Sequence, residues 1–199
     1  MSFFPPDADP PQYDESPRDR TPWWNPPSDE IPAFYPAVER LASTEHVSIA
    51  LVGAAVYSDG VELQIERRLR RGDLDAEEWQ KLAGPFMEHW HSGASPAARL
   101  RYGVVLGNAE KILDGPPFGP GGDATTPPAD FSLVRRGGGG GGDNHSYAAN
   151  DQLWLWPIPP AGTLELVLQW PAMGIGETHA FLDATSFREL AQQAQPFWP

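Results

Sequence analysis

Residues 151–170 read DQLWLWPIPPAGTLELVLQW, and this stretch decides the fold class. Residues 153–156 are apolar on both faces, as in a strand that is covered on both sides. Three prolines follow and lack the backbone N–H that strand pairing needs, while Gly162 supplies a flexible turn position. From residue 163, leucine and tryptophan alternate with polar side chains, which is the period of a β-strand. The stretch therefore predicts a β-hairpin with an aromatic core.

The same reading extends along the chain. Turn signals of the Ser-Asp-Gly and Gly-Asn kind separate further apolar or alternating segments at 47–57, 61–66, 100–106, 109–113, 131–134 and 178–183. We therefore predict an all-β protein with minor α content, built as an antiparallel β-sandwich of about seven strands. A distorted barrel is the alternative. Helices are expected at 73–82, capped by Asp73 or Asp75, and from Thr185 or Ser186 to Gln195, with a helical turn or two in 31–41.

Composition limits the function classes. The net charge of −13 argues against binding to nucleic acid or to an anionic membrane, because both need a basic surface. The chain has no cysteine, which excludes thiol chemistry and disulfides and fits a cytoplasmic location. No apolar run is long enough for a membrane-spanning helix, and the first residues do not resemble a secretory signal. No pattern of a nucleophilic enzyme and no cofactor motif is present, which favours a protein that is not an enzyme.

Residues 1–30 are rich in proline and acidic residues, so we expect a disordered tail ahead of a single domain at 31–199. Within the tail, Trp23 and Trp24 are adjacent, and two tryptophans seldom stay fully solvated. Two interpretations are open. The pair folds back onto the domain as a lid, or it docks on a partner protein as a proline-rich motif.

Residues 135–145 form a glycine-rich loop that holds six consecutive glycines between two arginines and an Asp-Asn-His triplet. Uninterrupted glycine behaves as random coil, so the expectation is a flexible hairpin linker. The alternative is an anion site in which backbone amides and guanidinium groups meet. The residues of that alternative site are Arg135, Arg136, Gly139 and Gly140.

A basic cluster stands out in the acidic chain at Arg67, Arg68, Arg70 and Arg71. By strand parity Arg67 shares the inward face with the apolar residues beside it, so we expect a bulge or the strand end to turn it outward. The cluster is interpreted either as a solvated guard of an edge strand or as a site for an acidic partner.

Histidines offer the remaining chemistry. His89 and His91 have the spacing of two strand-borne metal ligands, and His179 adds a third imidazole next to Glu177. The pattern differs from the cupin barrels, because no glutamate follows the His-x-His motif within a few residues. The bland interpretation is that His89 and His91 lie in a polar loop.

Several segments resemble a family of uncharacterised actinobacterial proteins. They are the stretch LRYGVV from residue 100, the glycine run, the stretch LWLWPIPP from residue 153, the stretch QWPAMGI from residue 169 and the terminal Phe-Trp-Pro. The front end, with its Trp-Trp pair and the stretch ALVG from residue 50, is also similar. The resemblance implies no activity and no catalytic residue.

Together these features predict a non-catalytic cytoplasmic β-sandwich that serves as an interaction or structural module, without a cofactor. Its contacts with a partner protein are expected at the Trp-Trp pair or the arginine cluster, and an exposed edge strand is expected to allow a homodimer. The alternative is a metal-dependent enzyme or small-ligand binder that uses His89, His91 and His179.

Overall fold

The computed structural model describes residues 20–87, 98–115 and 127–198. These residues form thirteen strands, two α-helices and a short 3-10 helix at Pro171–Met173. The strands are β1 (Glu30–Ile31), β2 (Ala33–Tyr35), β3 (Glu39–Ser43), β4 (Val47–Val56), β5 (Val61–Arg70), β6 (Arg101–Val105), β7 (Lys111–Gly115), β8 (Ser132–Arg136), β9 (Gly140–Gly142), β10 (Ser146–Trp156), β11 (Thr163–Trp170), β12 (Ile175–Asp183) and β13 (Gln195–Pro196). The helices are α1 (Ala76–Met87) and α2 (Ala184–Ala191).

Eleven of these strands build one sheet, while β1 and β13 pair separately. The main path runs β12-β11-β6-β7-β8-β10-β5-β4-β2, with β3 also on β4 and β9 also on β10. The pair β7–β8 is parallel and the other pairs are antiparallel. The sheet curls until β3 lies in contact with β12. The all-β class is confirmed, but the architecture is a single curled sheet rather than a clear seven-strand sandwich.

The hairpin predicted for residues 151–170 does not form. Strand β10 pairs with β5 and β8, whereas β11 pairs with β6 and β12. The segment between them contains three prolines, which donate no backbone hydrogen bond, so the chain leaves the sheet and re-enters it elsewhere. The hairpins predicted across 58–60 and 107–108 do form, as β4–β5 and β6–β7.

Strand β10 is covered on both faces, as its sequence predicts. Leu153 and Leu155 belong to the main core and are fully buried. Trp154 points to the opposite face and is also fully buried, with its indole N–H donating to the carbonyl of Pro22 at 2.7 Å. The ring of Tyr57 packs edge-on against it at 5.7 Å. An N-terminal segment therefore covers the outer face of this strand.

Both helices lie against the core. The predicted N-cap is correct for α1, whereas α2 begins earlier than predicted and is capped by Asp183 rather than by Thr185 or Ser186. Asp75 caps α1, accepting from the backbone N–H of Glu77 and Glu78, in agreement with one of the two predicted caps. Asp183 caps α2, because its carboxylate accepts from the backbone of Thr185 and the hydroxyl of Ser186. The helical turns expected in 31–41 are instead short strands. Within the described ranges, neither helix combines the length and apolar character needed to cross a membrane.

Candidate functional site

The arginine cluster does not act as one unit, because Arg67 lies inside the protein. Its Nε lies 2.8 Å from Oδ2 of Asp151, and its Nη2 donates to Oδ1 of the same carboxylate at 3.2 Å. The guanidinium packs over the rings of Phe86 and Trp170, at 5.2 and 5.3 Å from their centres. The predicted outward turn of Arg67 is therefore wrong. Strand parity holds, and a buried counter-ion rather than a bulge accommodates the charge.

The same carboxylate organises a buried polar network. The hydroxyl of Tyr102 donates to Oδ2 of Asp151 at 2.7 Å. Burial raises the pKa of Tyr102 well above its usual value, and the Asp151 charge adds to the rise. Arg135 stacks over the Tyr102 ring at 5.6 Å and lies 3.6 Å from Asp114. Burial raises the pKa of Asp114, while Arg135 opposes that rise. The network holds these side chains in place inside the protein, and the side chains of Arg67 and Asp151 are almost completely buried.

Two other arginines of the cluster, Arg68 and Arg70, line a groove of about 520 Å³. We call it the arginine groove; it lies on the outer face of β3, β4, β5, β9 and β10. Its lining residues are Arg40, Ser43, Thr44, Glu45, His46, Val47, Ser48, Arg68, Leu69, Arg70, Gly141, Ser146, Tyr147 and Ala148. Three arginines thus face one glutamate in an otherwise acidic chain.

Strand register explains the shape of the arginine groove. One row of paired residues crosses all five strands, and only its central member has a long side chain. The row is Ser43, Ser48, Arg68, Ala148 and Gly141. Small residues on either side leave space around the guanidinium, so the floor is shallow and open along the row.

The three arginines of the groove differ in how they are held. Arg68 pairs with Glu66 on its own strand. Arg70 donates through Nε to the carbonyl of Glu45 at 2.7 Å, which fixes the side chain, and its terminal nitrogens make no hydrogen bond to the part of the chain that the structure describes. Arg40 is exposed and forms no ion pair with the described residues. Nδ1 of His46 lies within hydrogen-bond distance of the carbonyl oxygen of Arg70, at 3.2 Å. The groove therefore presents positioned donors of the kind that bind carboxylates.

Arg71, the last arginine of the cluster, turns away from this groove. It donates to the carbonyls of Leu74 and Asn144, at 2.8 and 3.4 Å. It therefore ties the end of β5 to the start of α1 and to the turn before β10. Of the four arginines that the sequence singles out, the structure brings Arg68 and Arg70 together in the groove and places Arg67 and Arg71 elsewhere.

The glycine run does take part in a hairpin, as predicted, but as a paired strand and not as a flexible linker. Gly140–Gly142 form β9 and pair with β10, and a tight turn held by the Asp143 carboxylate joins the two strands. Gly137 and Gly138 have φ values of 59° and 138°, where side chains are strained, and they carry the chain from β8 to β9. A Cβ on Gly142 would overlap the Ser146 carbonyl. The random-coil expectation failed because the β10 edge supplies pairing partners for the backbone.

The alternative anion site beside the glycine run has its arginines engaged by carboxylates. Arg136 pairs with Glu62 at 2.7 Å, and Arg135 faces Asp114. Burial raises the pKa of Glu62, with Arg136 opposing the rise. The carbonyl of Gly139 accepts a hydrogen bond from the backbone N–H of Asn150. The glycine that the structure does place beside exposed arginines is Gly141, in the arginine groove.

The Trp-Trp pair lies within the described part of the predicted tail. The Trp23 ring packs against that of Trp156, at 6.1 Å between centres, and its carbonyl accepts from the Ser132 hydroxyl at 3.2 Å. Both tryptophans are half-buried. Arg20 forms an ion pair with Asp59 at 2.9 Å. These contacts match the lid interpretation for 20–27, whereas residues 1–19 lie outside the described ranges. Docking of Trp23 and Trp24 on a partner stays a prediction.

The histidine set is only partly visible. His89 and His91 lie outside the described residues. His179 is half-exposed on β12, with Nδ1 2.5 Å from Oε1 of Glu165 and Nε2 3.2 Å from Oε1 of Glu177. Each ring nitrogen of His179 therefore faces a carboxylate. In the described ranges, no group of three or more His, Asp or Glu side chains is arranged to hold a metal.

Sequence reasoning missed Arg40, His46 and the hydroxyls of the arginine groove. Arg40 is a single arginine in a short strand, and no local pattern marks it. Only the pairing of β3 with β4 brings it beside β5. No family model, curated protein or solved structure matches the chain. The resemblance to actinobacterial proteins therefore stays a prediction.

Proposed function

We propose that the protein is a non-catalytic interaction module that binds an acidic segment of a partner protein in the arginine groove. The observation that carries the proposal is the meeting of Arg40, Arg68 and Arg70 on one shallow, small-residue floor. Arginine is enriched among the residues that dominate interface energy, and its planar group binds carboxylates through two parallel hydrogen bonds.

The overall charge of −13 favours a short partner segment over a long polyanion. At physiological salt, charges more than about 8 Å apart are largely screened. A short acidic segment in the groove therefore senses mainly the local arginines. A nucleic acid duplex would extend beyond the groove and over acidic surface, where it is repelled. The prediction of a protein partner and no nucleic acid partner follows from this difference.

The test is a quantitative pull-down from lysate with three full-length baits: wild type, Arg40→Glu and Lys81→Glu. Lys81 is a matched control, because it is exposed, undergoes the same charge change and lies on α1, away from the groove. We expect that wild type and Lys81→Glu will retain acidic partner proteins and that Arg40→Glu will lose them. Partners that bind all three baits equally would place the interaction elsewhere and overturn the proposal.

The remaining features of the predicted module belong to the same proposal. We place it in the cytoplasm, without a cofactor, and we retain a homodimer through an edge strand as a prediction. The small-ligand alternative gains support from one observation, which is that His179 lines a second groove. The metal-dependent form of that alternative also needs His89 and His91, and elemental analysis decides it.

A further inference from the structure

A second groove, of about 450 Å³, lies on the outer face of β6, β7, β11 and β12. We call it the dipolar groove. Its centre is apolar and shallow, because Gly103 pairs with Val167 on one side and Leu113 on the other. Gly103 has no side chain, so the row dips between two apolar neighbours. The volume lies within the range of small-molecule sites.

Apart from Asp114 on β7, whose buried carboxylate faces Arg135, the charges that line this groove are separated by sign. Arg101 and Lys111 line it from β6 and β7, whereas Glu165 and Glu177 line it from β11 and β12. Lys111 is exposed and has no ion pair within the described ranges. The groove therefore has a cationic wall and an acidic wall with an apolar floor between them.

The acidic wall already holds one cation-sized group. Glu165 and Glu177 converge on the two nitrogens of His179. Glu165 faces Nδ1 and Glu177 faces Nε2, so the two carboxylates flank the ring, and each has a second oxygen that can accept from an ammonium group. The imidazole lies between them and is half-exposed, so a ligand ammonium approaches these carboxylates beside the ring and not in its place.

We propose that the dipolar groove binds a zwitterionic ligand about as long as a tripeptide, with its carboxylate at Lys111 and its ammonium at Glu165 and Glu177. Register sets the length. Lys111 pairs with Val105 and Val105 pairs with Glu165, so the Cα atoms of Lys111 and Glu165 are two strand spacings apart, or about 10 Å. An extended tripeptide has nearly the same length. The site is separate from the arginine groove and does not depend on the function proposed there.

The test is a ¹H–¹⁵N NMR titration of the full-length chain with the tripeptide Ala-Leu-Ala. The matched control ligand is acetyl-Ala-Leu-Ala-amide, which has the same shape and no terminal charges. We expect saturable shifts of the Gly103 and Val167 amides with the free tripeptide and at least about tenfold weaker binding of the blocked one, since each lost charge pair weakens a weak complex several-fold.

Two protein variants make the assignment specific. Lys111→Gln should weaken the free tripeptide several-fold, while Lys81→Gln, which removes an exposed charge on α1, should bind it like wild type. Both are surface substitutions that leave the core untouched, and unchanged melting temperatures would verify this. The inference is overturned by equal binding of the blocked peptide, by unaltered binding to Lys111→Gln, or by the absence of saturable shifts up to about 10 mM peptide.

Discussion

Replacing Asp151 by leucine removes the carboxylate on which the buried network depends. Arg67 would keep its hydrogen bond to the carbonyl of Phe86, at 3.3 Å, and would lose its counter-ion. Tyr102 would lose the acceptor of its hydroxyl. Both side chains stay almost completely shielded from water, so solvent cannot replace what is lost.

The expected cost follows from these two losses. Breaking a buried ion pair by removing one partner costs about 3–5 kcal/mol, and an orphaned buried hydroxyl adds about 1–3 kcal/mol. The two effects share one carboxylate and do not add fully. We therefore expect Asp151→Leu to lower the free energy of unfolding by about 4–6 kcal/mol. That is a large part of the roughly 5–15 kcal/mol available to a typical domain.

Urea denaturation followed by tryptophan fluorescence measures this cost. Adding Arg67→Met and Tyr102→Phe to Asp151→Leu removes the stranded charge and hydroxyl together, so the triple variant should recover most of the stability. Glu66→Gln, which breaks the more exposed pair with Arg68, should cost less than about 1 kcal/mol. A cost below about 1 kcal/mol for Asp151→Leu, or a triple variant no more stable than the single one, would refute this reasoning.

Three further predictions follow from single contacts. The pKa of Tyr102 is raised in the folded state, so the neutral Tyr102 side chain stabilises the fold fully below about pH 10, and this stabilisation is lost as the pH rises above that value. The difference in unfolding free energy between wild type and Tyr102→Phe should therefore shrink when urea denaturation is repeated at alkaline pH. Gly142→Ala should cost about 1–3 kcal/mol through overlap with the neighbouring backbone, whereas Gly141→Ala, where a Cβ meets nothing within 4 Å, should leave the melting temperature nearly unchanged. Elemental analysis of the untagged protein should find less than about a tenth of an equivalent of any transition metal, and a stoichiometric metal would instead favour the histidine site.

Local sequence patterns predicted most strands of the fold. The alternation in β11 and the two-sided apolar run in β10 correctly indicate which side chains are buried, because strand periodicity depends on neighbours two residues apart. Pairing partners were not readable in the same way. Strands β10 and β11 are consecutive, yet they do not pair with each other, because the prolines between them exclude a direct return; each instead has one partner distant in sequence, β5 for β10 and β6 for β11.

The candidate sites show the same limit. Arg68 and Arg70 are prominent in the sequence, but Arg40 joins them only through the β3–β4 and β4–β5 pairings. Arg67 illustrates the opposite case. Its parity placed it inward, and the counter-ion that makes this tolerable, Asp151, lies 84 residues away along the chain. Composition alone also misjudged the glycine run, whose pairing with β10 depends on tertiary context.

The central claim is that the arginine groove recognises an acidic segment, and a direct binding measurement tests it. The probe is a fluorescein-labelled 12-residue peptide of alternating glutamate and leucine, followed by anisotropy against wild type, Arg40→Glu and Lys81→Glu at two salt concentrations. The account predicts about tenfold weaker binding to Arg40→Glu than to Lys81→Glu, with a difference that narrows at high salt because the contacts are exposed. Equal affinities for the two variants would contradict the account.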